Sequence, residues 1–297
     1  MPGEKKGFEY YRQMNNRETR LAEFKDDDEA LRLKLAQLDI INYSRRKHRA
    51  RPVGLNILAS RVANKVCREA AENNFISHWN MAGEKPYLRY AFAGGNDHIA
   101  ENVYGEYTTG TYDHTPSEIS GLMKDGHNSF MKETPPFDGH KKNIIDKGHN
   151  YVGIGYYMTK DQFRYNEEFI DRYLEFEDVP RSLKPGEKGE ITIKTDGKYF
   201  PYFLVIYRED FPTPLKPEQL NKKGGYDDFS KEKYYEMPAW DLSRSRKGNE
   251  YRIPVNFRSE GLYYIQICID RHDIKMPSKL STKGKIIASG IVIKVTG

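Results

Sequence analysis

Between Leu55 and Ala71 the apolar positions fall at steps of three and four: Leu55, Leu58, Ala59, Val62, Ala63, Val66, Cys67, Ala70 and Ala71. That period puts them on one face of a helix, and the small alanines predict close packing against a neighbour. A second amphipathic helix is predicted to start at Asp26-Asp27-Asp28, whose carboxylates cap and complement a helix N-terminus. It turns Leu31, Leu35, Leu38 and Ile41 inward and ends before Pro52. A short helix opens at Pro86 and closes at Gly94-Gly95; a longer one runs from Pro116 or Ser117 to Phe130 or Lys132. Residues 8 to 24 carry aromatics and charges without a period and read as an extension, and Ile99 to Tyr107 reads as a loop with a short extended piece. Tyr151 to Met158 reads as a strand, and Phe163 to Phe176 supplies one or two more in a hairpin with it.

From about Val179 the texture changes. Pro and Gly punctuate short segments rich in Ile, Val, Tyr and Phe, and alternation such as Tyr263/Ile265/Ile267/Ile269 has the period of half-buried strands. These features predict a small all-β sandwich with a long insertion from Asp210 to Arg246, read as a functional loop or a covered flap. The fold class is therefore α+β, with an extension at 1–27, a mixed domain at 28–176 and a sandwich at 177–297 that carries the 210–246 insertion.

A length of 297 residues accommodates two domains, and 31% charged against 37% hydrophobic residues with a mean hydropathy of −0.83 describes a very polar surface. The net charge of +5 comes from nearly balanced acidic and basic residues, which argues against nucleic acid as a partner. The basic cluster Ser44 to Arg49 fits a helix C-terminus instead. No apolar run is long enough to span a bilayer, and MPGEKKGFEYYRQMNN has no apolar core of the signal-peptide kind. The two cysteines, Cys67 and Cys268, fall in different predicted domains, so no disulfide is expected.

Candidate chemistry gathers between Phe75 and Tyr107, where His78 and Glu101 lie at predicted element ends, and His140 follows in a turn-like run. Two imidazoles with one or two carboxylates can hold a divalent cation, Zn²⁺ or Mg²⁺, at His78 and His140. They can also work as acid and base, with Glu101 the candidate general base. The alternative is that each histidine merely caps a helix or is bonded at the surface.

In order, His78, Ala100-Glu101-Asn102, His140-Lys141-Lys142-Asn143-Ile144-Ile145 and Tyr151-Val152-Gly153-Ile154-Gly155 resemble the CAP superfamily of cysteine-rich secretory, antigen-five and pathogenesis-related proteins over about residues 28–176. The lack of the animal-type disulfides points to the bacterial SCP-like branch. The resemblance implies an N-terminal α-β-α sandwich whose cleft is lined by two histidines and two acidic residues. His78, Glu101 and His140 match three of them. Glu133, three residues after Phe130, is nominated as the fourth, with His127 as its rival. No Ser or Cys nucleophile is evident in the matched segments, and the family is known more for binding, lipids included, than for catalysis. The expected function is an extracytoplasmic two-domain binding protein, secreted or periplasmic with its signal peptide absent from this sequence, an intracellular location being the alternative. Its cleft takes a cation or a small or lipid ligand, while an immunoglobulin- or fibronectin-like sandwich docks to a protein, lipid or glycan partner. A metal-assisted, peptidase-like hydrolase and a structural component with a vestigial cleft are the alternatives. The tyrosines of the second half, Trp240 and the loop Lys222 to Tyr226 offer a carbohydrate or protein contact surface, unless they are strand core and loop padding.

Overall fold

The structure, a computed structural model, describes residues 6–227, 232–274 and 281–297. Residues 1–5 of the predicted extension and 228–231 of the predicted insertion lie outside the described residues. The chain divides into two compact units: 1–94 with 99–170 and 213–226, and 95–98 with 171–212 and 227–297. The first unit therefore takes in the segment 8–24 and fourteen residues from the predicted insertion, Thr213–Tyr226.

In chain order the first unit contains α1 (Phe8–Arg17), α2 (Asp28–Lys47), β1 (Gly54–Leu55), α3 (Ile57–Glu72), α4 (Pro86–Phe92), β2 (His98–Tyr107), α5 (Pro116–Lys132), α6 (Gly139–Ile145), β3 (Tyr151–Met158), β4 (Gln162–Asp171) and a single turn, α7 (Pro217–Leu220). The segment 8–24, without an apolar period, is nevertheless helical in α1. Tertiary partners supply what the pattern lacks: Tyr11 is buried in the core and its hydroxyl accepts from the Leu55 N–H. Ile99 to Tyr107, expected as a loop with a short extended piece, belongs throughout to a ten-residue strand. The sheet order is β1-β3-β4-β2, which makes β2 an edge strand.

The three longest helices start where the sequence provides a side-chain cap. The side chains of Asp27, Asn56 and Thr115 accept from the N–H groups of Ala30, Ala59 and Glu118 and so open α2, α3 and α5. The alanine face of α3 rides on β3 because Gly153 and Gly155 leave room: a Cβ at either would collide with Ala59 or Ala63. Val152 and Ile154, alternating with those glycines, face the other side. There they pack with Leu31, Leu38 and Ile41 of α2 and Met123 and Phe130 of α5. The result is the α-β-α sandwich, α3 on one face of the sheet and α2 with α5 on the other. Burying each such Val, Leu or Ile contributes about 1.5–3 kcal/mol.

The inward stripe of α2 also includes two cations. Lys34 is wholly buried, 2.7 Å from Asp26, and Arg45 donates to the carbonyls of Arg51, Ile144 and His149. Arg45, part of the basic cluster, is thus interior scaffolding with its guanidinium hydrogen-bonded to backbone.

The second unit is built from two sheets. One has the order β10-β11-β7-β5 with β5 (Glu175–Asp178), β7 (Lys188–Lys194), β10 (Arg246–Lys247) and β11 (Glu250–Asn256). The other runs β6-β14-β12-β8-β9 with β6 (Ser182–Leu183), β8 (Phe200–Glu209), β9 (Lys233–Pro238), β12 (Gly261–Asp270) and β14 (Ile291–Val295), and β13 (Ile286–Ile287) pairs β12. Ile191, Ile193, Tyr251 and Ile253 from the first sheet and Leu204, Ile206, Ile265 and Ile267 from the second share one core, as the alternation predicts for a sandwich. Within the predicted insertion, β9 and the short α8 (Ala239–Arg244), which carries half-buried Trp240, are ordinary parts of this unit. Cys67 and Cys268 are both free and buried.

Candidate functional site

The site is organised by the edge strand β2. Successive side chains of a strand point to opposite faces, so Glu101 and Asn102 reach different layers of the sandwich. His78, in the segment that follows α3, meets Glu101: its Nδ1 is 2.9 Å from Oε1. His140, near the start of α6, lies with Asn102, whose amide donates to the His140 carbonyl at 3.2 Å and whose oxygen accepts from Asn143 at 2.9 Å. The neighbouring strand repeats the device. Asn166 of β4 donates to Glu101 and Glu167 accepts from Asn102.

The segment after α3 and the helix α6 thus deliver imidazoles around the same edge, with ring centroids 6.1 Å apart and planes at 33°. Glu133, the residue that caps the C-terminal end of α5, completes the set. Its Oε1 takes His140 Nδ1 at 2.5 Å, and its Oε2 accepts from the N–H groups of His140 and Lys141. His78, Glu101, Glu133 and His140 are therefore together. His127 is elsewhere, wholly buried, with Nδ1 on Glu167 at 2.7 Å and Nε2 on Ser44 at 2.8 Å. That Ser–His–Glu order has the connectivity of a nucleophilic triad. However, Ser44 sits in the last turns of α2, where the helix dipole is negative, the wrong sign for a developing oxyanion.

An ionised carboxylate only accepts, so each imidazole bears a proton on Nδ1, and in its neutral form it then presents Nε2 as a lone pair. Among the described residues no hydrogen bond is made by either Nε2. Both oxygens of Glu101 are occupied: Oε1 by His78, Oε2 by Arg89 and Asn166. Burial on its own would raise this carboxyl, but Arg89 and then His78 outweigh it and hold Glu101 at about 2. Such a group is a weak proton acceptor at neutral pH, which counts against the expected general-base role. Behind it lies Glu168, also fully buried and 3.9 Å from Arg89, whose carboxyl is pushed well above its usual range by burial and by the Glu101 charge. Cys67, whose thiol burial pushes up strongly, offers no thiolate here.

The residues offer a cation limited support. Among the described residues no group of three or more His, Cys, Asp or Glu has the geometry to hold a metal ion, because Glu101 and Glu133 stand behind the rings on Nδ1. That is the place of carboxylates that orient a ligating histidine. Two nitrogens remain, one fewer than the three protein ligands usual for catalytic zinc. Mg²⁺ prefers a shell of oxygens and fits the pair less well than Zn²⁺.

Sequence reasoning missed Arg89, Asn166 and Glu168. The signal that could have found them is the run Arg164-Tyr165-Asn166-Glu167-Glu168 inside a strand, since polar residues buried on both faces need partners. Tyr226 is expected in a contact loop of the second domain, Lys222 to Tyr226. Tyr226 belongs to the first unit, with its ring centroid 4.9 Å from that of His78.

Residues 38–170 match the CAP, cysteine-rich secretory protein family, model. Solved structures similar to the chain include an extracellular protein containing a SCP domain from Bacillus anthracis str. Ames, 18% identical with a TM-score of 0.36, over 46% of this chain and 39% of that one. An outer surface protein from Borrelia burgdorferi is 16% identical with a TM-score of 0.36, over 48% and 93%. A cysteine-rich secretory protein from Staphylococcus aureus subsp. aureus Mu50 is 14% identical with a TM-score of 0.31, over 48% and 38%. The chain thus spans about two fifths of the first and third of these proteins. No curated protein sequence matches it. No helix of the described residues is long and apolar enough to cross a membrane.

Proposed function

Starting from a CAP domain at residues 38–170, we propose that this chain is an extracytoplasmic binding protein whose cleft holds a small polar guest at the Nε2 edges of His78 and His140. The observation that carries this reading is the pairing of each Nδ1 with its own carboxylate, which leaves both Nε2 edges to meet a guest. Zn²⁺, completing its shell with water, is the simplest guest of that chemistry, and a hydroxyl or amide donor is the neutral equivalent. A hydrolase using Glu101 as base is less well supported, since its oxygens are already committed and Arg89 keeps it ionised.

Calorimetric titration with Zn²⁺ tests the reading. The intact chain should take up about one equivalent, weaker than a three-ligand site would, and the His78→Ala/His140→Ala variant should show only dilution heat. Equal heats from the two proteins would remove the cation from the proposal.

In the same reading the second unit is the docking module. It contains a concavity of about 580 Å³ with Tyr202, Tyr207, Lys233, Glu236 and Gln266 in its wall, a mixture of aromatic faces and polar groups suited to a glycan. Affinity electrophoresis through polysaccharide gels should retard the chain and release it on Tyr207→Ala; unimpeded migration of the intact chain would exclude this role.

A further inference from the structure

The segment Thr213–Tyr226 is a strap of the first unit with three points of attachment. Its N-terminal end is held by backbone: the Leu215 N–H donates to the Met81 carbonyl at 2.8 Å. Close by, Gly83 adopts φ +79°, and a Cβ there would collide with the Thr213 carbonyl. Its middle is pegged. Leu220 is completely buried with Ala70 and Phe75, and Asn221 accepts from the Ile76 N–H at 2.9 Å and donates to the Asn74 carbonyl at 3.2 Å. Beyond Lys223, whose ammonium stands 4.8 Å over the Trp79 ring, come Gly224 and Gly225. A Cβ on either glycine would meet nothing within 4 Å, so neither is there for lack of space. Two adjacent glycines free of packing have a wide range of backbone angles open to them, and the residue beyond them is Tyr226.

Tyr226 lands on the candidate cleft. Its ring is 4.9 Å from His78 and meets Trp79 edge-on at 6.4 Å, and its hydroxyl accepts from the Glu101 backbone N–H at 3.1 Å. The last contact bears on function. β2 is an edge strand, and an edge strand leaves alternate N–H groups without a neighbouring strand. The phenol oxygen satisfies one such donor at the residue whose side chain orients His78.

We propose that Tyr226 is a resident occupant of the cleft: a guest enters by swinging the ring away from His78 about Gly224-Gly225 and replaces the phenol with its own acceptor oxygen on the Glu101 N–H. The guests this selects carry a carbonyl, carboxylate or similar oxygen beside the group that meets the imidazoles. This gating rests on the same cleft being the binding site proposed above, but its test needs no guest, so either can fail without the other.

Two readouts on the full chain separate the ring from its hydroxyl. Tyr226→Phe keeps the ring and should speed amide hydrogen exchange at Glu101 about fivefold, the factor that accompanies one ordinary hydrogen bond. Carbethoxylation of His78 by diethyl pyrocarbonate, followed on its peptide by mass spectrometry, should stay near the parent rate. Tyr226→Ala should raise both, the His78 reaction by on the order of tenfold, while exposed His272 reacts as before. Leu220→Ala, which pulls the peg and leaves Tyr226 intact, should also hasten the His78 reaction. Glu101 exchange unchanged in Tyr226→Phe, or His78 reacting at the parent rate in Tyr226→Ala and Leu220→Ala, would overturn the proposal.

Discussion

His78 and His140 share one arrangement, a carboxylate on Nδ1 and a bare Nε2, but they are built into different surroundings. On the His78 side the imidazole is 12% exposed and Glu101 is completely buried, whereas on the other side His140 is 32% and Glu133 22% exposed. Glu101 projects from a strand into the core, where Arg89 neutralises it and Asn166 takes its remaining lone pair. Glu133 sits at a helix end and spends its second oxygen on the first N–H groups of α6. One imidazole is therefore set by the core and the other by a helix junction near solvent. A cleft assembled this way has a fixed, buried wall and a more exposed one.

The largest test of that contrast is Arg89→Met. It would leave Glu101 and Glu168 buried against each other without their cation, and unfolding in urea should show a loss on the order of 3–5 kcal/mol; a loss under about 1 kcal/mol would mean the fixed wall does not depend on this charge. Next, Glu101→Gln should cost about 2 kcal/mol and Glu133→Gln well under 1 kcal/mol, because a buried charged hydrogen bond is worth more than a partly exposed one. Equal costs would erase the contrast.

Acidity sharpens it further. Glu101 is held at about 2 in the folded chain, below its usual 4.5. A depressed carboxyl stabilises fully above its unfolded value, and that stability drains as pH falls from there towards 2. Stability measured across that window should fall more steeply for the parent chain than for Glu101→Gln, and parallel curves would contradict the assignment. Below pH 4.5, where its carboxyl is protonated whether the chain is folded or not, the smallest effect is expected for Glu168→Gln. Its raised carboxyl favours folding below the unfolded value and loses that benefit as pH rises, so the glutamine variant should gain on the parent as the solution is made alkaline. A constant difference between the two would show Glu168 to be unperturbed.

Much of the site was legible because its four principal residues lie beside strong local signals. His78 follows the most regular amphipathic helix in the chain, and Glu133 and His140 flank the gap between two helices. The seven-residue spacing from Glu133 to His140 lets one carboxylate bond the ring and the backbone of the same residue. Glu101 was identified while its element was not: Ile99 to Tyr107 reads as a loop with a short extended piece because the strand mixes Asn, Gly and Glu, and pairing with β4 overrides that local preference. Arg89 was hidden for a similar reason, since a lone arginine on a short helix looks like surface until its partners are known. Tyr226 could not be read locally at all. It is 125 residues from Glu101 in sequence, and the glycines before it signal a turn without saying where the turn lands.

The central claim is that His78 and His140 act as one site through their Nε2 atoms. Long-range ¹H–¹⁵N spectra of the histidine side chains, recorded at neutral pH while one equivalent of Zn²⁺ is added, test it most directly. Both rings should begin as Nδ1–H tautomers, and both Nε2 resonances should move together as the cation is added. A ring that starts with its proton on Nε2, or a shift confined to one histidine, would contradict it.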